Sequence, residues 1–108
     1  MKVFINLLAL LFSIQGIGQD WASLNAKSIS AYEKGKYSEA IELGNQALAV
    51  AASSFGHLSD EYLTSLSNKA YAKSKLGNYT DALNDFRAAA NISFELYTLP
   101  HVSQVEAL

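Results

Sequence analysis

His57 and His101 are the side chains of this 108-residue chain best suited to bind a metal or to move a proton near neutral pH. A metal would need further ligands at matching spacing, and the neighbours able to serve are Asp60, Glu61 and Glu106. Each histidine, however, stands in a loop just ahead of an expected helix, where hydrogen bonding to the helix start is the favoured role. The chain has no cysteine, which excludes a disulfide framework, a thiol nucleophile and every cysteine zinc site. Serines are numerous, but none sits in a Gly-x-Ser-x-Gly turn, and the sequence has no phosphate loop, dinucleotide fingerprint or zinc-binding His pair. Asn78-Tyr79-Thr80 and Asn91-Ile92-Ser93 have the form of glycosylation sequons and read as chance occurrences within helical segments. The segment is therefore expected not to be an enzyme, with no catalytic, cofactor-binding or metal-binding residues. Eight Lys+Arg against ten Asp+Glu give a formal charge of -2, which offers nucleic acid no electrostatic footing.

The elements that position the remaining residues begin after an address. Met1 and Lys2 form a cationic start, and Val3 to Ile14 is an apolar run interrupted by Asn6 and Ser13. It is too short to span a bilayer comfortably. Gly16 and Gly18 then place two small residues one apart, as signal peptidase requires, so residues 1–18 are expected to be a signal peptide and Gln19 the mature N-terminus. A retained membrane anchor is the competing reading. After cleavage no membrane association is expected, and the compartment is exported: periplasmic, cell-surface or secreted.

The rest of the chain repeats itself. Gly35-Lys36-Tyr37-Ser38-Glu39-Ala40-Ile41 recurs as Gly77-Asn78-Tyr79-Thr80-Asp81-Ala82-Leu83, an offset of 42. At that same offset Leu24 matches Leu66, Lys27 matches Lys69, Ala47 matches Ala89, Val50 matches Ile92 and Phe55 matches Tyr97. Each unit reads as two helices joined by a tight turn. A first helix over about 20–34 carries Trp21, Leu24, Ser28 and Ala31 at helical spacing and ends at Gly35. A second runs from about Tyr37 to Ser54, with Ala40, Ile41, Gly44, Ala47, Leu48 and Ala51 in one stripe. Ser59 is placed to cap a third helix that ends near Leu76, with Asp60 and Glu61 at the positive end of its dipole. Asn78 is placed to cap a fourth, carrying Ala82, Leu83, Phe86, Ala89, Ala90 and Ile92 to about Tyr97. Pro100 breaks it, and Ser103 with Glu106 forms a capping box for a fifth helix.

This pattern resembles the tetratricopeptide repeat, specifically the 42-residue variety of kinesin-light-chain-like arrays. The Gly-x-Tyr-x-x-Ala-hydrophobic turn, present twice, carries the likeness, with Ala47 and Ala89 seven residues beyond its Ala and Leu66-Ser67-Asn68-Lys69-Ala70 resembling that variety's Leu-Asn-Asn-Leu-Ala. The resemblance implies an all-α, helical-hairpin solenoid with two full repeats, 19–56 and 57–99, and the start of a third at 100–108, which looks truncated. Small residues at Ala40, Ala47, Ala82 and Ala89 allow close helix approach, and Tyr37 and Tyr79 are expected to fill the space beside each turn. Gly44 stands where Phe86 stands one repeat later and implies closer contact in the first unit. Lys69 and Lys73 occupy positions that such repeats bury as Leu and Tyr; they are expected to snorkel, stems packed and ammonium groups in water.

In stacked repeats the first helices of the units line the concave wall. That makes Asn25, Ile29 and Tyr32 on the first helix and Ser67, Tyr71 and Ser74 on the third the candidate partner-binding groove. Amides, hydroxyls and two tyrosines suit a peptide better than a phosphate or carboxylate. The expected function is an exported interaction module that holds peptide segments of partner proteins. The alternative is the N-terminal regulatory region of a larger exported protein, since similar arrangements precede caspase-like (CHAT) protease domains or sensor kinases. A further expectation is self-association through the last helix, whose Leu83, Phe86 and Ala90 stripe is left under-covered.

Overall fold

The computed structural model describes residues 20–98, four α-helices and no strand among them. The expected signal peptide and cleavage point, His101 and the expected start of a third repeat at 100–108, with its Ser103/Glu106 pair, lie outside the described residues. The helices are α1 (Trp21–Glu33), α2 (Tyr37–Ser54), α3 (Asp60–Lys75) and α4 (Tyr79–Tyr97). Each packs on its sequence neighbour, and α1 also meets α3, so α2 is gripped by both while the first helices of the two units lie side by side.

The turns show why the repeat motif is written as it is. Gly35 takes φ +77° and Gly77 φ +86°, a left-handed conformation that costs other L residues about 1–2 kcal/mol. With Gly35 so placed, its N–H donates to Tyr32 O and the next N–H, of Lys36, reaches back to Ala31 O. The same two bonds run from Gly77 to Ser74 O and from Asn78 to Lys73 O. This pairing closes the last carbonyls of one helix. The residue that closes it, Lys36 or Asn78, then accepts the first bond of the next helix, from Ala40 N or Ala82 N.

Asn78 does not cap α4 with its side chain, contrary to the expectation from its type. Its backbone is held at φ -81° and ψ 64° by the glycine turn, as Lys36 is at φ -90° and ψ 70° at the equivalent position, and neither side chain reaches the free amides. Caps form where the chain enters a helix from an extended residue. Ser59 (φ -152°, ψ 154°) accepts from Tyr62 N at 3.1 Å and donates to Gly56 O at 2.7 Å. Asp20 accepts from Ser23 N at 2.8 Å at the start of α1.

The core is built from small side chains. Of ten buried hydrophobic residues, eight are alanine, including Ala40, Ala47, Ala82 and Ala89 at the repeating positions. Backbones therefore approach closely, and packing takes the place of bulky side-chain burial. Ser28, buried between α1 and α2, donates to Ala40 O at 2.9 Å and ties the two backbones together. Gly44 lies where α1, α2 and α3 converge: a Cβ there would come 3.5 Å from Lys69 Cβ and 3.7 Å from Ser28 Oγ. That is ordinary van der Waals contact, so the close approach demands a small residue and not glycine itself.

The two tyrosines beside the turns diverge. Tyr37 packs edge-on against Tyr32, ring centroids 5.4 Å apart, over a cluster of Ala31, Ala40 and Ala72. Tyr79 is 70% exposed and fills no gap. The reason lies one repeat away: Tyr32 is matched by Ser74, which offers no ring for Tyr79 to pack on.

Lys69 and Lys73 also depart from expectation. Neither ammonium is simply in water, because both converge on Asp85 of α4, with Lys73 Nζ at 2.8 Å and Lys69 Nζ at 3.8 Å from Oδ2. All three side chains are only 16–19% exposed. Asp85 Oδ2 is closed off from solvent and has no aligned hydrogen-bond donor, so charge attraction holds it. One repeat earlier the positions of Lys73 and Asp85 are Ala31 and Leu43, both part of an apolar cluster. The second repeat has exchanged an apolar contact for an ionic one at the same place in the hairpin.

Candidate functional site

Side-by-side packing of α1 and α3 creates a groove of about 360 Å³ between them, lined by Ser28, Ile29, Tyr32, Asn68 and Tyr71. Two hydrogen bonds across the pair fix its width. Trp21 Nε1 donates to Ser65 Oγ at 2.7 Å, and Asn68 Nδ2 donates to Asn25 Oδ1 at 3.0 Å. Asn25 and Asn68 thereby satisfy one another in part, leaving the Asn25 amide N–H groups and the Asn68 carbonyl oxygen as donor and acceptor.

The rings are held from behind. Tyr32 rests on Tyr37, and Tyr71 meets Phe86 of α4 edge-on at 5.0 Å between centroids. Tyr71 is still more than half exposed and Ile29 is exposed too, so both present apolar surface at the groove. No charged side chain lines it. Such a groove fits an uncharged extended segment: apolar side chains against Ile29 and the tyrosines, main-chain polar groups toward the amides and hydroxyls.

Of the six residues expected from sequence, Ile29, Tyr32 and Tyr71 come together in the groove wall and Asn25 bonds to a residue of that wall. Ser67 and Ser74 are not among the lining residues, and the Ser74 hydroxyl is turned back to Tyr71 O at 2.7 Å. Ser28 and Asn68 line the groove without having been expected there. Asn68 stands one residue from Ser67, about 100° round the helix, so the spacing that picks out Ser67, Tyr71 and Ser74 does not select it.

The described histidine takes no part. His57 is exposed and its ring lies 4.9 Å from that of Tyr62. Among the described residues no three His, Asp or Glu side chains gather as a metal site would require, and no helix is long and apolar enough to cross a membrane.

Two helical hairpins in register, packed so that their first helices enclose an uncharged groove, define an all-α helical-repeat protein. The family model for the tetratricopeptide repeat matches residues 22–93, and the chain belongs to that family. Searches of curated proteins and of solved structures give no match. Tetratricopeptide repeats generally mediate protein–protein interaction and are typically non-catalytic.

Proposed function

We propose that this chain is an exported interaction module of the 42-residue, kinesin-light-chain-like variety, which holds uncharged peptide segments of partner proteins between α1 and α3. The observation that carries the binding role is the groove itself: about 360 Å³, with Ile29, Tyr32 and Tyr71 as apolar contacts and no charge in its lining. The role in export rests on Lys2, the Val3–Ile14 run and the Gly16/Gly18 pair.

Selection from a displayed library of random peptides, followed by fluorescence anisotropy, tests the groove. Selected peptides are expected to be poor in charge, and both Ile29→Ala and Tyr71→Ala are expected to weaken their binding about tenfold or more with helicity unchanged. Ile29→Ala matters because Tyr71 also supports Phe86, so a loss confined to Tyr71→Ala would point to structure. Peptides that bind both variants as well as the parent chain would overturn the assignment. For export, mass spectrometry of protein recovered outside the cytoplasm of its native host is expected to find Gln19 first; soluble material retaining Met1 would contradict it.

A further inference from the structure

The groove between α1 and α3 restricts the shape of what it can hold, because both of its walls are helices. Their main-chain N–H and C=O groups are bonded within the helices, so a β-type strand lying there would find no edge to pair with. The walls offer few polar groups in exchange: the Asn25 and Asn68 amides and the hydroxyls of Ser28, Tyr32 and Tyr71. Each main-chain group that such a strand buried unpaired would cost about as much as a lost hydrogen bond. A helical ligand, about 10–12 Å thick, exceeds the whole 360 Å³ within a single turn and could lay in only one edge.

Polyproline II avoids both costs. It has no internal hydrogen bonds to satisfy, its prolines carry no N–H, and it is stiff before it binds, so little ordering entropy is lost. We propose that the ligand of this groove is a proline-rich segment in the polyproline II conformation, an inference that rests on the groove being the peptide site. The spacing of the two exposed rings agrees with it. The hydrogen bonds between the walls join residues 44 and 43 apart, Trp21 to Ser65 and Asn25 to Asn68, so Tyr71 lies about level with Ser28, and Tyr32 stands four residues farther along on the opposite wall. Four residues of α-helix rise about 6 Å, and so do two residues of polyproline II. Residues two apart in that three-fold helix point to different sides, so a Pro-x-Pro segment sets one proline on Tyr71 and the other on Tyr32.

The polar groups of the groove complement the same ligand. Carbonyls are the polar groups that an oligoproline main chain retains, and they need donors. The Asn25–Asn68 bond uses one of the four N–H groups of the two amides and leaves three, held about one helical turn before Tyr71 on α3. Both rings are braced before any ligand arrives, Tyr32 by Tyr37 and Tyr71 by Phe86, which lowers the cost of fixing them on a proline ring. Aromatic grooves suit this conformation for that reason, flat rings against a preformed ridge of prolines. The lining has no charge, and neither has proline. A groove of about 360 Å³ is near the lower end for ligand sites, so contact area is scarce and a ligand that is stiff in advance has the advantage.

The probes are a dye-labelled oligoproline of about ten residues and a Gly/Ser peptide of the same length and label, each titrated with the full chain and followed by fluorescence anisotropy. Oligoproline is expected to bind about tenfold or more tightly than the Gly/Ser peptide. Ile29→Ala, Tyr32→Leu and Tyr71→Leu are each expected to weaken it about tenfold or more, with circular dichroism unchanged. Leucine keeps apolar bulk against Tyr37 and Phe86, and Ile29 is exposed, so a folding defect does not mimic the result. Equal affinity for the two peptides, or oligoproline binding that survives all three substitutions, would overturn the proposal. Proline-free peptides from the displayed library that bind more tightly than oligoproline and lose affinity in Ile29→Ala would overturn it too, while leaving the groove a peptide site. If neither probe nor any selected peptide binds at the groove, both readings fail together.

Discussion

Lys69 and Lys73 show what a single position in a repeat can hide. Their types and spacing predict partly buried stems, and the structure agrees; what the helical period of α3 could not reveal is the acid opposite them. That signal lay in a comparison between repeats: Asp85 stands where Leu43 stands, at the same offset that sets Lys73 against Ala31. A charged pair replacing an apolar pair at matched positions is the pattern of a compensated exchange. It gives a prediction about how the residues couple. Lys73→Met removes the ammonium 2.8 Å from Asp85 and leaves the carboxylate to Lys69 at 3.8 Å. The expected cost is about 1–2 kcal/mol, between the values for exposed and for fully buried pairs. Joint replacement by Lys69→Met, Lys73→Ala and Asp85→Leu removes all three charges, rebuilds the apolar contact of the first repeat and is expected to be neutral or stabilising. Urea denaturation of the single and triple variants reads both effects. A triple variant less stable than Lys73→Met would show that the ionic contact itself holds the hairpin.

At the scale of elements, the helices were legible almost to the residue because their ends are fixed by local chemistry: Gly35 and Gly77 close α1 and α3, and Ser59 opens α3. The misreading of Asn78 has a definite cause. Cap preference describes a residue that enters a helix from extended backbone, whereas Asn78 is also the residue that closes the preceding helix and is not free to adopt that conformation. The same logic separates two substitutions that look alike in sequence. Ser59→Ala removes an acceptor for Tyr62 N and a donor to Gly56 O, and is expected to cost about 1 kcal/mol. Asn78→Ala removes no side-chain cap bond and is expected to change stability by less than about 0.5 kcal/mol. Thermal or chemical unfolding followed by circular dichroism distinguishes the two, and equal losses would mean that Asn78 caps α4 in solution. The groove was half legible by the same rule. The faces expected from helical spacing bring Ile29, Tyr32 and Tyr71 together, but the wall also draws on residues at the boundary between faces, Ser28 and Asn68, which a helical period alone assigns to packing.

For the molecule as a whole, the question is whether two hairpins whose buried core is largely alanine behave as two units or one. Repeat proteins are chains of nearest-neighbour interfaces, and a weak interface lets one unit open alone. Here the boundary between the repeats is not weak. The second helix of the first unit is packed on both sides, by α1 and α3; α1 touches α3 directly; and the two hydrogen bonds from Trp21 to Ser65 and from Asn68 to Asn25 cross that boundary. Opening either hairpin therefore exposes the core of the other. Trp21 is the single tryptophan of the chain and sits on this boundary, so its fluorescence reports the docking of the two units while circular dichroism reports all four helices. The two signals are expected to change together in urea, with one midpoint and one slope, as a two-state transition requires. Ser65→Ala, which removes the tryptophan's partner, is expected to move both curves to lower urea by the same amount, at a cost of about 1 kcal/mol. A tryptophan transition that precedes the loss of helicity would mean that the repeats part before they unfold, and that the groove between α1 and α3 opens as they do.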